Sequence, residues 1–323
     1  MLNAPPGDGV SCLAFSPTSP SSLLVASWDT TVRLYDVHAN SNKFTCLLGG
    51  ACLACCFNHD ASAGYAGGLD HGVYSLDMFR GGAKSLLGAH GAPVSCMGFN
   101  AEHRVLFTGG WDCVVNAWDE RARGDNGGQG PQALDALGGK VYSLATQGHT
   151  ICAATSSQQI LIWDVRSLTQ AVQVRESPLR NQLRTVALSP SGEFMALGST
   201  EARIAVEYLS SDEDAQKKSY AFKCHRKDNL AYPVNTVAFH PVYGTFVSGG
   251  CDGIVNSWDG GNKKRITQLP AYSNSIASLS FNCDGSLLAV AASYTYEEGA
   301  TATHREENVF VRQVDMAEVM PKA

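Results

Sequence analysis

A repeat with a period of about 42 residues is the feature that most constrains the fold of this chain. Each copy has a short apolar run, a stretch of small residues, a polar turn and a second run, as in GGWDCVVNAWD at 109–119. The turn positions are spaced 41, 42, 45, 44 and 51 residues apart, and they are Asp29, Asp70, Asp112, Ser157, Glu201 and Asp252. A seventh copy starts at residue 275, so the sequence predicts seven copies of one structural unit.

The runs within each copy are too short for helices, and no helical periodicity occurs along the chain. A further apolar run, such as VSCLAFSP or VNTVAFHP, precedes most copies. Four short strands per repeat at this period are typical of the blades of a β-propeller. The sequence therefore predicts an all-β protein, a seven-bladed WD-repeat β-propeller, with residues 1–323 in a single domain.

The seventh copy lacks the fourth, outer strand that follows the third strand of the other copies, because the chain ends in MAEVMPKA. Residues 1–6 are not assigned to any repeat, and we expect them to supply that strand and so close the last blade. Closure would remove an exposed sheet edge. Two segments depart from the repeat: a Gly-rich surface loop at 121–134 and an insertion at 295–307 within blade seven.

Composition excludes several classes of function. A formal net charge of −6 argues against direct binding of nucleic acid, which depends on phosphate neutralisation. The chain has no run of 18 apolar residues and no signal-peptide pattern at its start, which predicts a soluble protein that does not bind membranes. Of the eleven cysteines only Cys52, Cys55 and Cys56 approach the spacing of metal ligands, so we expect reduced, mostly buried thiols, no metal and no cofactor.

Three tryptophans, Trp118, Trp163 and Trp258, stand six residues after a turn position, within the predicted third strand. An indole there can pack between blades while its N–H bonds a strand hydroxyl. Two copies also contain the His, Ser/Thr and Asp of the hydrogen-bonded network that, in WD repeats, holds the strands of a single blade together. These predicted structural networks are His90, Thr108, Asp112 and Trp118 in blade three, and His225, Ser248, Asp252 and Trp258 in blade six.

Trp28 and Trp111 stand immediately before a turn aspartate, at the tip of the loop between the second and third strands. A tryptophan at a turn tip has little core to enter, so both are predicted to be exposed aromatic anchors for a partner. The alternative is that each indole folds over a neighbouring blade.

Cations accompany these aromatics on one predicted face. One place after the leading apolar residue of the first strand, blade five has Arg184, whereas the other blades have Ser11, Ala54, Ser95, Tyr142, Asn235 and Ala277. Arg203 opens the third strand of blade five, and Lys223 and Arg226 are predicted to end its outer strand. Such a surface suits an acidic or phosphorylated peptide. Alternatively, these cations pair with local acids such as Glu201 and Glu207.

Several segments resemble one family closely. They are ASWDTTVRLYDV, GGLDHGVYSLD, RIAVEYL, KKSYAFKCHR, YPVNTVAFHP and IASLSFNCDGSLLAVAASYTYEEG, and the resemblance covers residues 5–314. The chain resembles the spindle-checkpoint WD-repeat proteins of the budding-uninhibited-by-benzimidazole protein three family. The resemblance implies a non-enzymatic adaptor, a monomeric propeller in hetero-complexes, located in the nucleus, at kinetochores in mitosis, and also in the cytoplasm. The implied partners are the GLEBS motifs of a checkpoint kinase and its pseudokinase relative, and phosphorylated Met-Glu-Leu-Thr repeats of the kinetochore scaffold.

The resemblance also implies residue roles. Arg184 resembles the arginine that meets GLEBS glutamates over the channel mouth, and Trp111 lies on the same face. Trp28, Arg203 and Lys223 resemble contacts to the phosphothreonine peptide, and we place Arg226 with them. This chain departs from the family at EARIAVEY, where the usual DGRVAVEY supplies a turn glycine, and at NQLR, where an aromatic is common before the glutamine.

Other functions remain open at this point. The sister WD-repeat proteins of mRNA export also bind a GLEBS motif, on a nucleoporin, but tend to carry a longer N-terminal extension. Propellers also host hydrolases and lyases. The sequence shows no nucleophile elbow, no P-loop and no His/carboxylate metal cluster, so we expect no enzymatic activity. A substrate receptor of a ubiquitin ligase is a third alternative, which co-purification with ligase subunits would reveal.

Overall fold

Seven antiparallel sheets arranged as a β-propeller make up the fold of the computed structural model, which describes residues 1–122, 130–134, 138–296, 299 and 306–322. Parts of the predicted departures at 121–134 and 295–307 lie outside the described residues. Six sheets have four strands and the seventh has three, and within each sheet the strands follow the order of the chain. The predicted seven-bladed architecture is confirmed.

The strands of the blades take equivalent places from the channel outward. The inner strands are Val10–Phe15 (β1), Cys52–Phe57 (β5), Val94–Asn100 (β9), Val141–Gln147 (β13), Leu183–Leu188 (β17), Val234–Phe239 (β23) and Ile276–Phe281 (β27). The second strands are Ser22–Ser27 (β2), Ala63–Gly68 (β6), Val105–Gly110 (β10), Thr150–Thr155 (β14), Phe194–Ser199 (β18), Phe246–Gly250 (β24) and Leu287–Ala292 (β28).

The third strands are Thr31–Asp36 (β3), Gly72–Asp77 (β7), Val115–Asp119 (β11), Gln159–Asp164 (β15), Arg203–Tyr208 (β19), Val255–Asp259 (β25) and Asn308–Gln313 (β29). The outer strands are Ser41–Leu47 (β4), Ala83–Ala89 (β8), Gln132–Ala133 (β12), Gln173–Glu176 (β16), Tyr220–Lys223 (β20) and Lys264–Gln268 (β26). The remaining elements are a hairpin of Arg226–Lys227 (β21) and Leu230–Ala231 (β22), a 3₁₀ turn at Glu120–Ala122, and two helices, Glu213–Gln216 (α1) and Met316–Val319 (α2). None of the helices among the described residues is long and apolar enough to span a membrane.

The hydrophobic core lies between blades rather than within them. Because side chains alternate across a strand, each blade contributes one face to each neighbour. Leu23 and Val25 of β2 pack in a cluster with blade seven, whereas Leu24 and Ala26 of the same strand pack in a cluster with blade two. Buried strands with two apolar faces explain the continuous apolar runs of the sequence. Contact between β27 and β1 closes the ring of inner strands.

The turn between second and third strands has one backbone conformation in six blades. The residue after the turn position has a left-handed φ of 58–72° in each, and these residues are Thr30, His71, Cys113, Gln158, Ala202 and Gly253. Only one of the six is glycine, although glycine adopts this conformation with least strain. Ala202 therefore keeps the turn geometry despite the glycine missing from EARIAVEY.

The predicted hydrogen-bonded network occurs within each of two blades, three and six. In blade three, His90 Nδ1 lies 3.0 Å from Asp112 Oδ2, His90 Nε2 lies 2.7 Å from Thr108 Oγ1, and the Trp118 indole N–H donates to Thr108 Oγ1 at 2.9 Å. Because Thr108 accepts from Trp118, its hydroxyl proton can donate to His90, so Nδ1 carries the histidine proton. Burial lowers the pKa of His90 despite the neighbouring carboxylate, which favours this neutral form.

Blade six repeats the arrangement with a serine in place of threonine. His225 contacts Asp252 at 2.9 Å and Ser248 at 2.8 Å, and the Trp258 indole N–H donates to Ser248 at 2.8 Å. In blade four, by contrast, the Trp163 indole N–H is buried and has no hydrogen-bond partner in the described part of the chain. The position ten residues before it, which holds the hydroxyl in the other two blades, is Ala153. The predicted bond of Trp163 to a strand hydroxyl is therefore wrong.

The N-terminal residues lie against blade seven without forming a regular strand. Leu2 donates a backbone hydrogen bond to Val309 of β29 at 2.8 Å, and its side chain is only 3% exposed, within the cluster of blades seven and one. Blade one holds the segment from the other side, because the Tyr35 hydroxyl and Arg33 donate to the carbonyl of Ala4. The sheet of blade seven has three strands. The backbone hydrogen bond from Leu2 lies where the fourth strand was predicted.

The C-terminal segment, for which sequence analysis assigned no place, packs on blade six. The side chains of Thr245 and Ser257 donate to the carbonyls of Val319 and Glu318, both at 2.6 Å. All eleven cysteines are free thiols, and six of them are buried.

Candidate functional site at the channel mouth

A β-bulge opens the inner strand of every blade. The register shifts after the first apolar residue of the strand, so that the next residue is unpaired, and these bulge residues are Ser11, Leu53, Ser95, Tyr142, Arg184, Asn235 and Ala277. A bulge re-aims its side chain away from the ladder. All seven line one cavity of about 600 Å³ at the mouth of the channel.

Blade two is the one in which this position differs from the prediction. Leu53 lines the mouth there, whereas Ala54, the predicted occupant, is buried. In ACLACCF both Cys52 and Leu53 can be the first apolar residue of the strand, and the prediction of Ala54 follows from choosing Leu53; only the paired register, in which Cys52 opens the strand, separates the two choices. The other six predicted occupants are correctly placed.

Most polar bulge side chains are used within the ring. In blades one, three and six they donate to the carbonyl that opens the next inner strand, and the pairs are Ser11–Cys52, Ser95–Val141 and Asn235–Ile276, at 2.6, 2.5 and 3.0 Å. A short side chain at a bulge therefore holds two neighbouring blades together. Their hydrogen-bonding capacity is partly consumed by this structural role.

Arg184 bonds the neighbouring bulge side chain instead of that carbonyl. One guanidinium nitrogen donates to Asn235 Oδ1 at 2.7 Å, and no carboxylate in the described part of the chain lies within ion-pair distance of it. A guanidinium has five N–H donors in a planar fork, which suits carboxylates. Arg184 is thus a half-buried cation in the lining of the mouth with unused donors. Asp8 is the one acid in the same lining among the residues that the structure describes.

Both predicted aromatic anchors line this cavity, but they differ in exposure. Trp28 is 47% exposed, and its backbone N–H donates to Gly9. Trp111 is half-buried, and the Lys140 ammonium lies 5.5 Å from its ring centroid. Lys140 precedes the inner strand of blade four, so Trp111 contacts the next blade, as the alternative interpretation proposed. Lys140 itself was missed because nothing in the repeat pattern singles out that position.

A second group of cations lies on blade five outside the lining of the mouth. Arg203 opens β19 and Lys223 ends β20, and the two residues are direct cross-strand partners. Arg203 Nε lies 3.9 Å from Glu201 Oε2, a loose ion pair, whereas Lys223 is exposed and has no ion pair among the described residues. Glu207 pairs with Arg175 instead, at 3.9 Å. Of these two cations, only Arg203 is paired with a local acid among the described residues.

Arg226 is not part of the outer strand. β20 ends at Lys223, and Arg226 opens the separate hairpin of β21 and β22, so its predicted place at the end of the outer strand is wrong. It nevertheless stays beside the other two cations, because Arg226 donates to the Glu201 carbonyl at 2.9 Å.

The structure thus divides the predicted site residues into two groups. Trp28, Trp111 and Arg184 share the lining of the channel mouth. Arg203, Lys223 and Arg226 gather around Glu201 at the outer part of blade five. Trp28, predicted to contact the same peptide as the blade-five cations, lies with Arg184 instead.

One set of His and carboxylate side chains among the described residues is close enough to share a metal ion. It consists of Glu102, His103 and His149, whose ligand atoms lie within 4.8 Å of one another. Sequence analysis found no such cluster, because His149 is 46 residues from His103 and only neighbouring turns bring them together.

Comparison with known proteins agrees with this architecture. The family model described as WD domain, G-beta repeat matches residues 2–36, 83–119 and 216–259. Mitotic checkpoint protein BUB3.1 of Arabidopsis thaliana is 46% identical over 99% of this chain and 94% of its own length. Mitotic checkpoint protein bub-3 of Caenorhabditis elegans is 41% identical over 98% of this chain and 94% of its own.

A more distant relative is also named as a checkpoint protein. Spindle assembly checkpoint protein bub3 of Schizosaccharomyces pombe is 31% identical over 98% of this chain and 95% of its own length. The identities extend over the whole propeller rather than over single repeats, and the resemblance stated from the sequence motifs is confirmed. The chain therefore belongs to the BUB3 family of WD-repeat mitotic checkpoint proteins.

Proposed function

We propose that this chain is a non-enzymatic adaptor of the spindle assembly checkpoint that binds the GLEBS motifs of a checkpoint kinase and its pseudokinase relative. The observation that carries the proposal is Arg184, a half-buried cation in an aromatic-lined cavity that has no carboxylate partner among the described residues. Glutamates of a GLEBS segment would supply that partner. Charge-assisted hydrogen bonds to carboxylates contribute about 1.5–3 kcal/mol each.

A second surface on blade five is proposed to bind a phosphothreonine of the kinetochore scaffold. Arg203 and Lys223 are cross-strand partners, so both heads can reach one phosphate, and Arg226 lies beside them. Trp28 and Arg184 line one cavity although they belong to blades one and five, so an extended peptide crossing the mouth can touch Trp28 and reach blade five. Trp28 would hold the apolar residues next to the phosphothreonine.

The names of the relatives favour the checkpoint over the mRNA-export alternative. The proposed location is accordingly the nucleus, with kinetochores in mitosis and a further cytoplasmic pool. Direct binding to nucleic acid is not part of the proposal, because the net charge is −6.

Calorimetric titration of the full chain with a synthetic GLEBS peptide tests the proposal. We expect Arg184→Ala to weaken binding at least about tenfold, because one charge-assisted contact is lost. Arg80→Ala, an exposed arginine on a loop between third and outer strands, is the matched control and should bind like wild type. A peptide with its glutamates replaced by glutamine should bind wild type and Arg184→Ala equally weakly. Unaltered affinity of Arg184→Ala for the glutamate peptide would exclude the proposed role of the mouth.

A further inference from the structure

Two turns of neighbouring blades meet on the face opposite the channel mouth. Glu102 and His103 lie in the turn between β9 and β10 of blade three, and His149 lies in the turn between β13 and β14 of blade four. Because strand direction alternates, turns between first and second strands lie at the opposite end of the blade from turns between second and third strands. The cluster is therefore separate from the proposed peptide site.

The distances between the three side chains are close to those required by one metal ion, since their ligand atoms lie within 4.8 Å of one another. His149 Nδ1 lies 3.4 Å from Glu102 Oε1, and His103 Nε2 lies 2.8 Å from His149 Nδ1. Two ligands of a tetrahedral zinc ion, each about 2.1 Å from the metal, lie about 3.4 Å apart. The carboxylate–imidazole separation already has this value, and the two imidazoles must separate by about 0.6 Å.

We propose that Glu102, His103 and His149 bind one Zn²⁺ ion, with water in the fourth position. Two imidazole nitrogens and one carboxylate oxygen form a donor set suited to zinc rather than to Mg²⁺ or Ca²⁺, which prefer oxygen ligands. The hydrogen bond between His103 and His149 needs a proton on one of the two facing nitrogens. Zinc replaces that proton when it binds.

The two turns are held in place before any metal binds. The buried side chain of Asn100 accepts from the His103 backbone N–H at 2.9 Å and donates to the Gly148 carbonyl and the Thr146 hydroxyl, both at 2.8 Å. One residue of blade three thus positions ligand-bearing turns of both blades. Such preorganisation reduces the ordering that metal binding requires.

An additional acid near His149 is engaged elsewhere. Asp164 forms a bidentate pair with Arg166, with Nε 2.9 Å and Nη2 2.6 Å from its oxygens. It therefore contributes negative charge near His149 without serving as a fourth ligand. Bound zinc would join blades three and four through the turns between their first and second strands.

Calorimetric titration of the full-length chain with zinc chloride, in the presence of a phosphine reductant, tests this site. Wild type should bind one zinc ion per chain, and His103→Ala and His149→Ala should each weaken binding at least about tenfold, since each removes a direct ligand. His38→Ala, an exposed histidine on blade one, is the matched control and should bind like wild type. Equal affinity of wild type and both ligand variants, or no binding at about 100 μM zinc, would overturn the proposal.

Cobalt(II) substitution separates this site from the cysteines, of which Cys283 is exposed. Tetrahedral nitrogen and oxygen ligation should give visible d–d bands without a thiolate-to-metal charge-transfer band. Cys283→Ser should leave the visible bands unchanged, and His149→Ala should abolish them. A thiolate band that disappears in Cys283→Ser would place the metal on that cysteine and overturn the assignment.

Discussion

The guanidinium of Arg184 donates to Asn235 Oδ1 at 2.7 Å across the boundary between blades five and six. Asn235 in turn donates to the Ile276 carbonyl at 3.0 Å, at the start of blade seven. The arginine is therefore held by a chain of bonds that crosses three blades. Its remaining donors lie in the cavity, where Asp8 is the one acid among the lining residues that the structure describes.

The first prediction concerns this positioning bond. Asn235→Ala should weaken GLEBS-peptide binding about three- to tenfold, because Arg184 loses the acceptor that orients it. Ser278→Ala removes a bond between blades seven and one, which the Leu13 backbone N–H donates at 3.0 Å, at a residue outside the lining of the mouth, and serves as the control. Both variants should lower the melting temperature, but only Asn235→Ala should affect the peptide. In a double-mutant cycle with Arg184→Ala, additive losses would show that the bond does not position the arginine.

The second prediction concerns phosphate dependence. A phosphothreonine brings about −1.5 to −2 charges and three acceptor oxygens, which Arg203 and Lys223 can share. A Met-Glu-Leu-phosphothreonine peptide should bind wild type, best with a GLEBS peptide already present, and its unphosphorylated twin should not. Double replacement of Arg203 and Lys223 by alanine should remove the difference in affinity between the two peptides. Trp28→Ala should weaken binding of the phosphopeptide but preserve that difference. Added salt should weaken binding, since the site is open to solvent.

Fluorescence anisotropy with labelled peptides measures these affinities. Lys84→Ala, an exposed lysine on the outer strand of blade two, controls for general loss of positive charge. Equal affinity of wild type for both peptides would leave Arg203 and Lys223 as ordinary surface charges.

The third prediction uses the acid beside these cations. Glu201 Oε2 lies 3.9 Å from Arg203 Nε, so its carboxylate competes with a phosphate for this guanidinium. Glu201→Gln keeps the side-chain shape and removes the charge, and we expect it to strengthen phosphopeptide binding about two- to fivefold. The unphosphorylated peptide should be unaffected. Weaker phosphopeptide binding would mean that Glu201 supports the geometry of the site more than it repels the ligand.

The fourth prediction compares two buried indoles. Trp118→Phe removes the donor to Thr108 Oγ1, whereas Trp163→Phe removes an N–H that has no partner among the described residues. Both variants lose similar packing. Chemical denaturation should therefore show that Trp118→Phe lowers the free energy of unfolding by about 1–3 kcal/mol more than Trp163→Phe does. Equal losses would show that the blade-three network adds no stability beyond packing.

The fifth prediction concerns closure by the N-terminal residues, which we propose to complete blade seven. Leu2→Ala should lower the free energy of unfolding by about 2–4 kcal/mol, because the side chain is 3% exposed. Leu47→Ala, at a leucine that is 63% exposed, is the control and should change little. Deletion of residues 1–6 should lower the melting temperature more than Leu2→Ala does. A deletion variant that melts like wild type would show that the segment does not stabilise the ring.

Some site residues could be predicted from the sequence and others could not. Trp28 and Arg184 stand out because every repeat supplies an equivalent position with a different kind of residue. Lys140 and His149 have no such reference, since they lie in connections whose lengths vary from blade to blade. Leu53 could not be distinguished from Ala54, because a bulge changes which residue faces the channel and no pattern of apolar residues encodes that choice.

The number of blades, the place of their turns and the members of both histidine networks could be predicted from the sequence, since each depends on spacing within or between neighbouring repeats. The packing of the blades was needed to show which cations share a surface, that Arg184 has no carboxylate partner among the described residues, and that Glu102 lies beside His149. These relationships depend on how neighbouring blades pack and on the register of their inner strands. Closing the ring brings together residues that are distant in the chain, and their separation along the sequence does not predict which of them meet in space.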